Sequence, residues 1–165
     1  MSSQQAEFAD FFQASWEPCL RAVVAVVGSV PPAEDQVAEA FAKAWASWRK
    51  VRRHPAPRAW VVRTALNTGT SWWRRRHREL PLAGHDVTAL GDLGGGLDAT
   101  LLTALWRLPA RQREVIALRI FLDLDTATIA GQLGIEAGTV RMHLSRGVTA
   151  LRHELTPAKN METDQ

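Results

Sequence analysis

Between residues 7 and 27 the apolar positions Phe8, Phe11, Phe12, Leu20, Val23, Val24 and Val27 recur at helical spacing. That spacing predicts a first helix from Glu7 to Val27, with Pro18 as a kink or restart inside it. Gly28-Ser29-Val30-Pro31-Pro32 closes it, and Pro32 with Glu34 and Asp35 opens a second. A fixed φ and negative charge both suit a first helical turn. The second helix runs to about Trp48, with Val37, Phe41, Trp45 and Trp48 as a buried stripe and a mildly acidic outer face. Arg49 to Arg58 holds two prolines two positions apart and reads as a basic loop. Pro57 then starts a third helix, which carries Trp60, Val61, Thr64, Ala65 and Leu66 and ends in Trp72-Trp73-Arg74-Arg75-Arg76-His77-Arg78.

The period lapses from Leu80 to Gly96, where five glycines and two acids read as a linker. Asp98 can cap a short helix bearing Leu101, Leu102 and Leu105. Pro109 restarts the chain as a helix to about Phe121, with Val115, Leu118 and Phe121 inward. Thr126 to Leu155 then reads as two helices around a turn at Gly134, since glycine accepts the left-handed conformation that ends a helix. Ile129, Ala130 and Leu133 give the first of these an inward face, and Val140, Leu144, Val148, Leu151 and Leu155 form the stripe of the second. The expected fold is all-α: two small helical domains, 1–79 and 98–156, joined by a flexible glycine-rich linker, 80–97, with a polar disordered tail, 157–165.

The last helix pair reads as a helix-turn-helix. Opposite its apolar stripe the second helix presents Arg141, Met142, Ser145 and Arg146 near its start, where a recognition helix meets base edges and phosphates. Such units serve repressors, activators and recombinases alike, so the motif argues for DNA without fixing a task.

Charge sharpens the picture, for the net +3 hides a strong asymmetry. Residues 1–48 sum to −4, whereas 49–78 hold ten lysines and arginines and no acid. Ten uncompensated cations point to a polyanion, nucleic acid above all. Guanidinium groups fork onto phosphates, and the indoles among them either pack in a core or stack on unpaired bases. The single cysteine, Cys19, sits among apolar residues and reads as a core thiol in a reducing compartment. No apolar run is long enough to span a bilayer and the N-terminus lacks signal-peptide character, so a soluble cytoplasmic protein is expected. There is no phosphate-binding glycine loop and no metal-ligand spacing, and the five histidines are scattered, so no catalytic residue, metal or cofactor is expected.

In this order the two modules resemble the extracytoplasmic-function group of the sigma-70 family. PAEDQVAEAFAKAW (32–45) is similar to the family's polymerase-docking helix, and RAWVVRTALNTGTSWWRRRHRE (58–79) to its promoter-melting helix. LPARQREVIALRIFLDL (108–124) and the helix-turn-helix resemble its C-terminal region, and TSWWRRR is similar to an actinobacterial branch. The resemblance implies a promoter-specificity subunit whose partners are core RNA polymerase and promoter DNA, with room for an anti-sigma factor and no membrane insertion. It places −35 contacts at Thr126, Thr139, Arg141, Met142, Ser145 and Arg146. It places −10 binding and melting at Arg52, Arg53, His54, Arg58, Trp60, Arg63, Asn67, Arg74, Arg75 and Arg76, and polymerase docking at Glu34, Asp35, Ala38, Glu39 and Lys43. Departures from the family pattern occur at Ala38, commonly glutamine, at Thr128, commonly glutamate, at Glu136, commonly serine or proline, and at Met142, often polar. A helix-turn-helix regulator acting without polymerase, or an RNA-binding protein using the TSWWRRR helix, would account for part of the chain only.

Overall fold

The computed structural model of the chain describes residues 2–77 and 98–156, with side chains described for 2–68 and 98–156. All regular structure among them is helical. The helices are α1 (Ser3–Val27), α2 (Val30–Ala46), α3 (Trp48–Val51), α4 (Pro57–His77), α5 (Ala99–Trp106), α6 (Ala110–Leu122), α7 (Thr126–Leu133) and α8 (Ala137–Leu155). The linker and tail expected at 80–97 and 157–165 lie outside the described residues.

Helix α1 begins at Ser3, five residues before the apolar period does at Phe8. Ser2 and Gln5 form a capping box: the Gln5 amide N–H donates to Ser2 Oγ at 3.2 Å, and Ser2 N–H donates to Gln5 Oε1 at 2.8 Å. Helix α1 runs through Pro18 without a restart. The proline has no N–H to give Ala14, and the Arg58 guanidinium supplies the missing donor, bonding Ala14 O at 2.9 Å and Ser15 Oγ at 3.1 Å. Gly28 ends α1 at φ 84°. Helix α2 starts at Val30, so Pro31 and Pro32 both lie in its first turn, where a missing N–H costs no helical bond. The expected loop 49–58 is partly helical, because α3 takes one turn through Arg49 and Lys50 before the prolines prevent continuation.

Two stripes differ from the periodic expectation. Trp45 is 42 % exposed rather than buried, the inner face of α2 being Ala33, Val37, Ala40, Phe41 and Ala44. On α8, Val148 and Leu155 are exposed, and the helix packs through Val140, Gly147 and Leu151. The cause is one close crossing: a Cβ on Gly147 would lie 2.3 Å from Ile116 Cδ1 of α6, so the missing side chain lets α8 turn this line inward.

Helices α1, α2 and α4 pack on one another, α5–α8 do likewise, and the C-terminal half of α1 also packs on α5 and α6. Arg113 of α6 ties this junction. Its guanidinium donates to Leu105 O, Trp106 O and Leu108 O, and to Val26 O of α1 at 3.0 Å, while lying 4.1 Å over the Trp106 ring. Burial pulls Arg113 below its ordinary pKa, opposed by neighbouring Glu114. Gly28 gives Trp106 its place, for a Cβ there would fall 2.8 Å from the indole. Cys19 is fully buried; burial pushes its thiol up to about 12, against a smaller lowering by Arg58, which keeps it protonated as a core residue.

Candidate nucleic-acid and polymerase interfaces

The helix-turn-helix is set by its caps. Asp125 accepts from the Thr128 N–H at 2.7 Å to begin α7, and hydrogen bonding from the Thr128 side chain, with that backbone bond, holds its carboxyl below the usual range. Gly134 ends α7 at φ 64°, and Ile135 N–H closes the turn on Ala130 O. Glu136 precedes α8 and makes no side-chain cap bond, so its charge alone acts on the helix N-terminus. With Val140 buried, Arg141, Met142, Ser145 and Arg146 are exposed within one and a half turns, and Thr126 and Thr139 are half-buried at the two helix starts. Neither Arg141 nor Arg146 has a salt-bridge partner among the described residues. Two guanidinium groups are therefore presented outward on a helix held from behind.

The basic segment is organised differently. Arg53 is exposed, but Arg52 is paired with Glu7 at 3.2 Å. His54 Nδ1 accepts from the Ala56 N–H at 2.9 Å, and its other ring nitrogen lies 3.4 Å from Gln132 Nε2 of α7. Arg58 is turned onto α1, and Trp60 is half-buried against the core. Arg63 and Asn67 are exposed and line a cavity of about 250 Å³ between α4 and the α6–α7 side, together with Arg111, Glu114, Gln132 and Leu133. Burial raises the Glu114 carboxyl, partly offset by Arg111 at 3.1 Å. Arg74, Arg75 and Arg76 lie on the last turns of α4; their side chains fall outside the described residues.

On α2 the outer face carries Glu34, Asp35, Ala38, Glu39 and Lys43, all exposed. Lys43 pairs with Glu39 at 3.5 Å and donates to Thr68 Oγ1 of α4 at 3.1 Å, so it also ties α2 to α4. The roles of Arg58 and Arg113 escaped the sequence reading. Pro18, inside an apolar helical period, was the one available sign that some donor must answer Ala14 O.

Comparison with known proteins agrees with this layout. Residues 12–79 match the Sigma-70 region 2 family and residues 98–151 the Sigma-70, region 4 family. The chain is 30 % identical over 152 residues to the RNA polymerase sigma-E factor of Streptomyces coelicolor, covering 90 % of this chain and 86 % of that one. It is 32 % identical over 146 residues to the ECF RNA polymerase sigma factor SigL of Mycobacterium tuberculosis, covering 83 % and 80 %. Its fold is similar to that of the sigma factor RpoE of Bartonella quintana, solved with the anti-sigma factor NepR, at a TM-score of 0.71, 23 % identity, and 96 % and 99 % coverage. The helix-turn-helix with its free arginines, the basic α4 and the acidic α2 thus stand in the order of the matched regions, and the chain belongs to the sigma-70 family as one of its extracytoplasmic-function RNA polymerase sigma factors.

Proposed function

We propose that α8 reads the −35 element as duplex, that the α3–α4 segment holds the −10 element as it opens, and that the outer face of α2 docks on core RNA polymerase. The observation that carries the reading is the outward, unpaired placement of Arg141 and Arg146 on a helix whose opposite side is buried. An arginine forked onto guanine discriminates its base by about 1–3 kcal/mol, while a phosphate contact weakens all sequences alike. Arg53, Arg63 and Asn67 are exposed members of the melting set, Arg52 is exposed but paired with Glu7, and Arg74, Arg75 and Arg76 extend the set along α4. Arg58, engaged with α1, contributes by shaping that face from behind.

The reading demands movement. Elements centred at −35 and −10 lie about 25 base pairs apart, roughly 85 Å at 3.4 Å per pair. Here His54 and Gln132 approach to 3.4 Å, so the α8 side and the α4 side must part to engage both elements. The 20 residues 78–97 reach at most about 70 Å, which with the breadth of the two helical groups spans the interval. Parting also frees Arg63 and Asn67 from the junction cavity.

The test is promoter binding by holoenzymes carrying Arg141→Ala or Arg146→Ala, measured across single-base variants of the −35 element. Loss of discrimination at one base position supports the reading. Wild-type affinity and specificity in both variants refutes it.

A further inference from the structure

We propose that Trp45, with Phe12 beside it, is the apolar anchor of the α2 docking face, and that its occupant is the same surface of core RNA polymerase that meets Glu34, Asp35 and Glu39. The inference rests on the docking reading above and adds to it the side chains that hold the complex once formed.

Trp45 is 42 % exposed and Phe12 38 % exposed, although both belong to an aromatic group whose remaining rings are largely covered. The Trp45 ring centroid lies 5.1 Å from that of Phe8, Phe8 lies 6.5 Å from Phe12, and Phe12 lies 5.5 Å from Trp16. Half-buried Phe8 thus joins Trp45 of α2 to Phe12 of α1, so the two exposed rings belong to one aromatic cluster rather than standing as isolated side chains. Clustered aromatic exposure of this kind is uncommon on a monomer and marks sites of association.

The position of Trp45 on α2 assigns the occupant. At about 100° per residue, Glu34, Ala38 and Trp45 fall within about 40° of one another around the helix, so the indole stands on the line that Glu34 begins, with Asp35 and Glu39 to one side of it. From Glu34 to Trp45 the rise is about 16 Å, three turns, which one helix of a partner can follow. Ala38 leaves no bulk between the two ends. The acidic end fits a basic partner, since Lys43, the cation of this face, is already engaged by Glu39 and Thr68. The two ends then divide the work: exposed charges speed encounter and are screened by salt, while a desolvated indole governs dissociation.

The experiment uses the full chain and core RNA polymerase. Trp45→Ala is expected to weaken assembly at least tenfold at low and high salt alike, through faster dissociation, and Trp45→Phe to recover part of the loss. Charge reversal at Glu34 and Glu39 is expected to weaken assembly mainly at low salt. If the charge reversals weaken assembly and Trp45→Ala binds as wild type, the anchor is refuted and the docking reading stands. If neither affects assembly, the docking face itself is misplaced and the anchor falls with it. Should Trp45→Ala fail to fold, hydroxyl-radical footprinting of the wild-type chain replaces it. Protection of Trp45 and Phe12 on adding core polymerase supports the anchor, and unchanged oxidation refutes it. Protection that arises in the free chain as its concentration rises identifies a second copy as the occupant and refutes the assignment to polymerase.

Discussion

Along α8, Arg141 and Arg146 stand exposed with no salt-bridge partner among the described residues, and the helix is held from behind through Val140, Gly147 and Leu151. Near the start of α4, Arg58 has the opposite fate: it folds back to replace the hydrogen bond that Pro18 denies Ala14. Arg113 in α6 goes further inward, spending its fork on four carbonyls and its face on Trp106. A basic side chain is left facing outward or becomes a structural brace according to the acceptors nearby. A surplus of backbone carbonyls captures a guanidinium, because its five fixed donors satisfy several at once. Where neighbours are already paired, as on the outer side of α8, the donors remain for an outside partner.

The sharpest break of that comparison is Arg113→Ala. Buried carbonyls left without a donor cost about 1–3 kcal/mol each, and the four that Arg113 serves are part-buried, so a loss of roughly 3 kcal/mol in unfolding free energy is expected, measured by chemical denaturation. Lysine should not rescue it, since one ammonium with three donors cannot satisfy four acceptors. A change below about 0.5 kcal/mol, the scale of a surface substitution, would place Arg113 with the presented arginines.

Arg58→Ala should cost less, about 1–2 kcal/mol, because it serves two acceptors rather than four and its bond to Ala14 O is exposed. The cycle with Pro18 gives this prediction its edge. Pro18→Ala restores an N–H to α1 and returns a donor to Ala14 O, so Arg58→Ala should be milder in that background than in the wild type. Additive effects across the cycle would mean that Arg58 does not serve the orphaned carbonyl.

Alanine at Arg141 and Arg146 should leave stability within about 0.5 kcal/mol of wild type, whatever it does to promoter binding. A cooperative loss of α8 in thermal unfolding would show that these two arginines brace the fold after all.

The smallest effect concerns the cap of α7. Asp125 titrates below its ordinary value of 3.8 because its charged form accepts from Thr128. A depressed carboxyl contributes stability that is present above the ordinary value and lost as pH falls through the lowered one. The stability difference between wild type and Asp125→Ala should therefore shrink as pH drops below 3.8, followed by hydrogen exchange at Thr128 and Ile129. A difference that stays constant with pH would remove the charge from the cap.

Much of this was readable along the chain. The helical periods placed α2, α4, α6, α7 and α8 to within a few residues, since an amphipathic stripe constrains three or four positions per two turns. Asp98 does cap α5, its carboxylate accepting from Thr100 at 2.9 Å, and Gly134 does turn the helix-turn-helix, because both act through bonds to residues next to them in sequence. The outward face of α8 follows from the same period, with one rotation: Val148 and Leu155 fit the apolar period yet lie exposed, while Gly147 carries the contact. A glycine contributes nothing to a hydrophobic period, so its line cannot be recognised until another helix crosses it.

Local chemistry by itself determined that this chain is helical, that it carries a helix-turn-helix, and that its positive charge is gathered between Arg49 and Arg78. Those features depend on neighbours within about four positions, which the order of residues states directly. Tertiary structure alone decided which arginines are spent inside and which are presented, that Trp45 stands at the surface, and that Gly28 and Gly147 are sites of close approach. Each of these depends on a partner tens of residues away, Ala14 for Arg58, Val26 for Arg113, Trp106 for Gly28 and Ile116 for Gly147. Such partners meet only when helices pack, and the geometry of packing is written in no single segment.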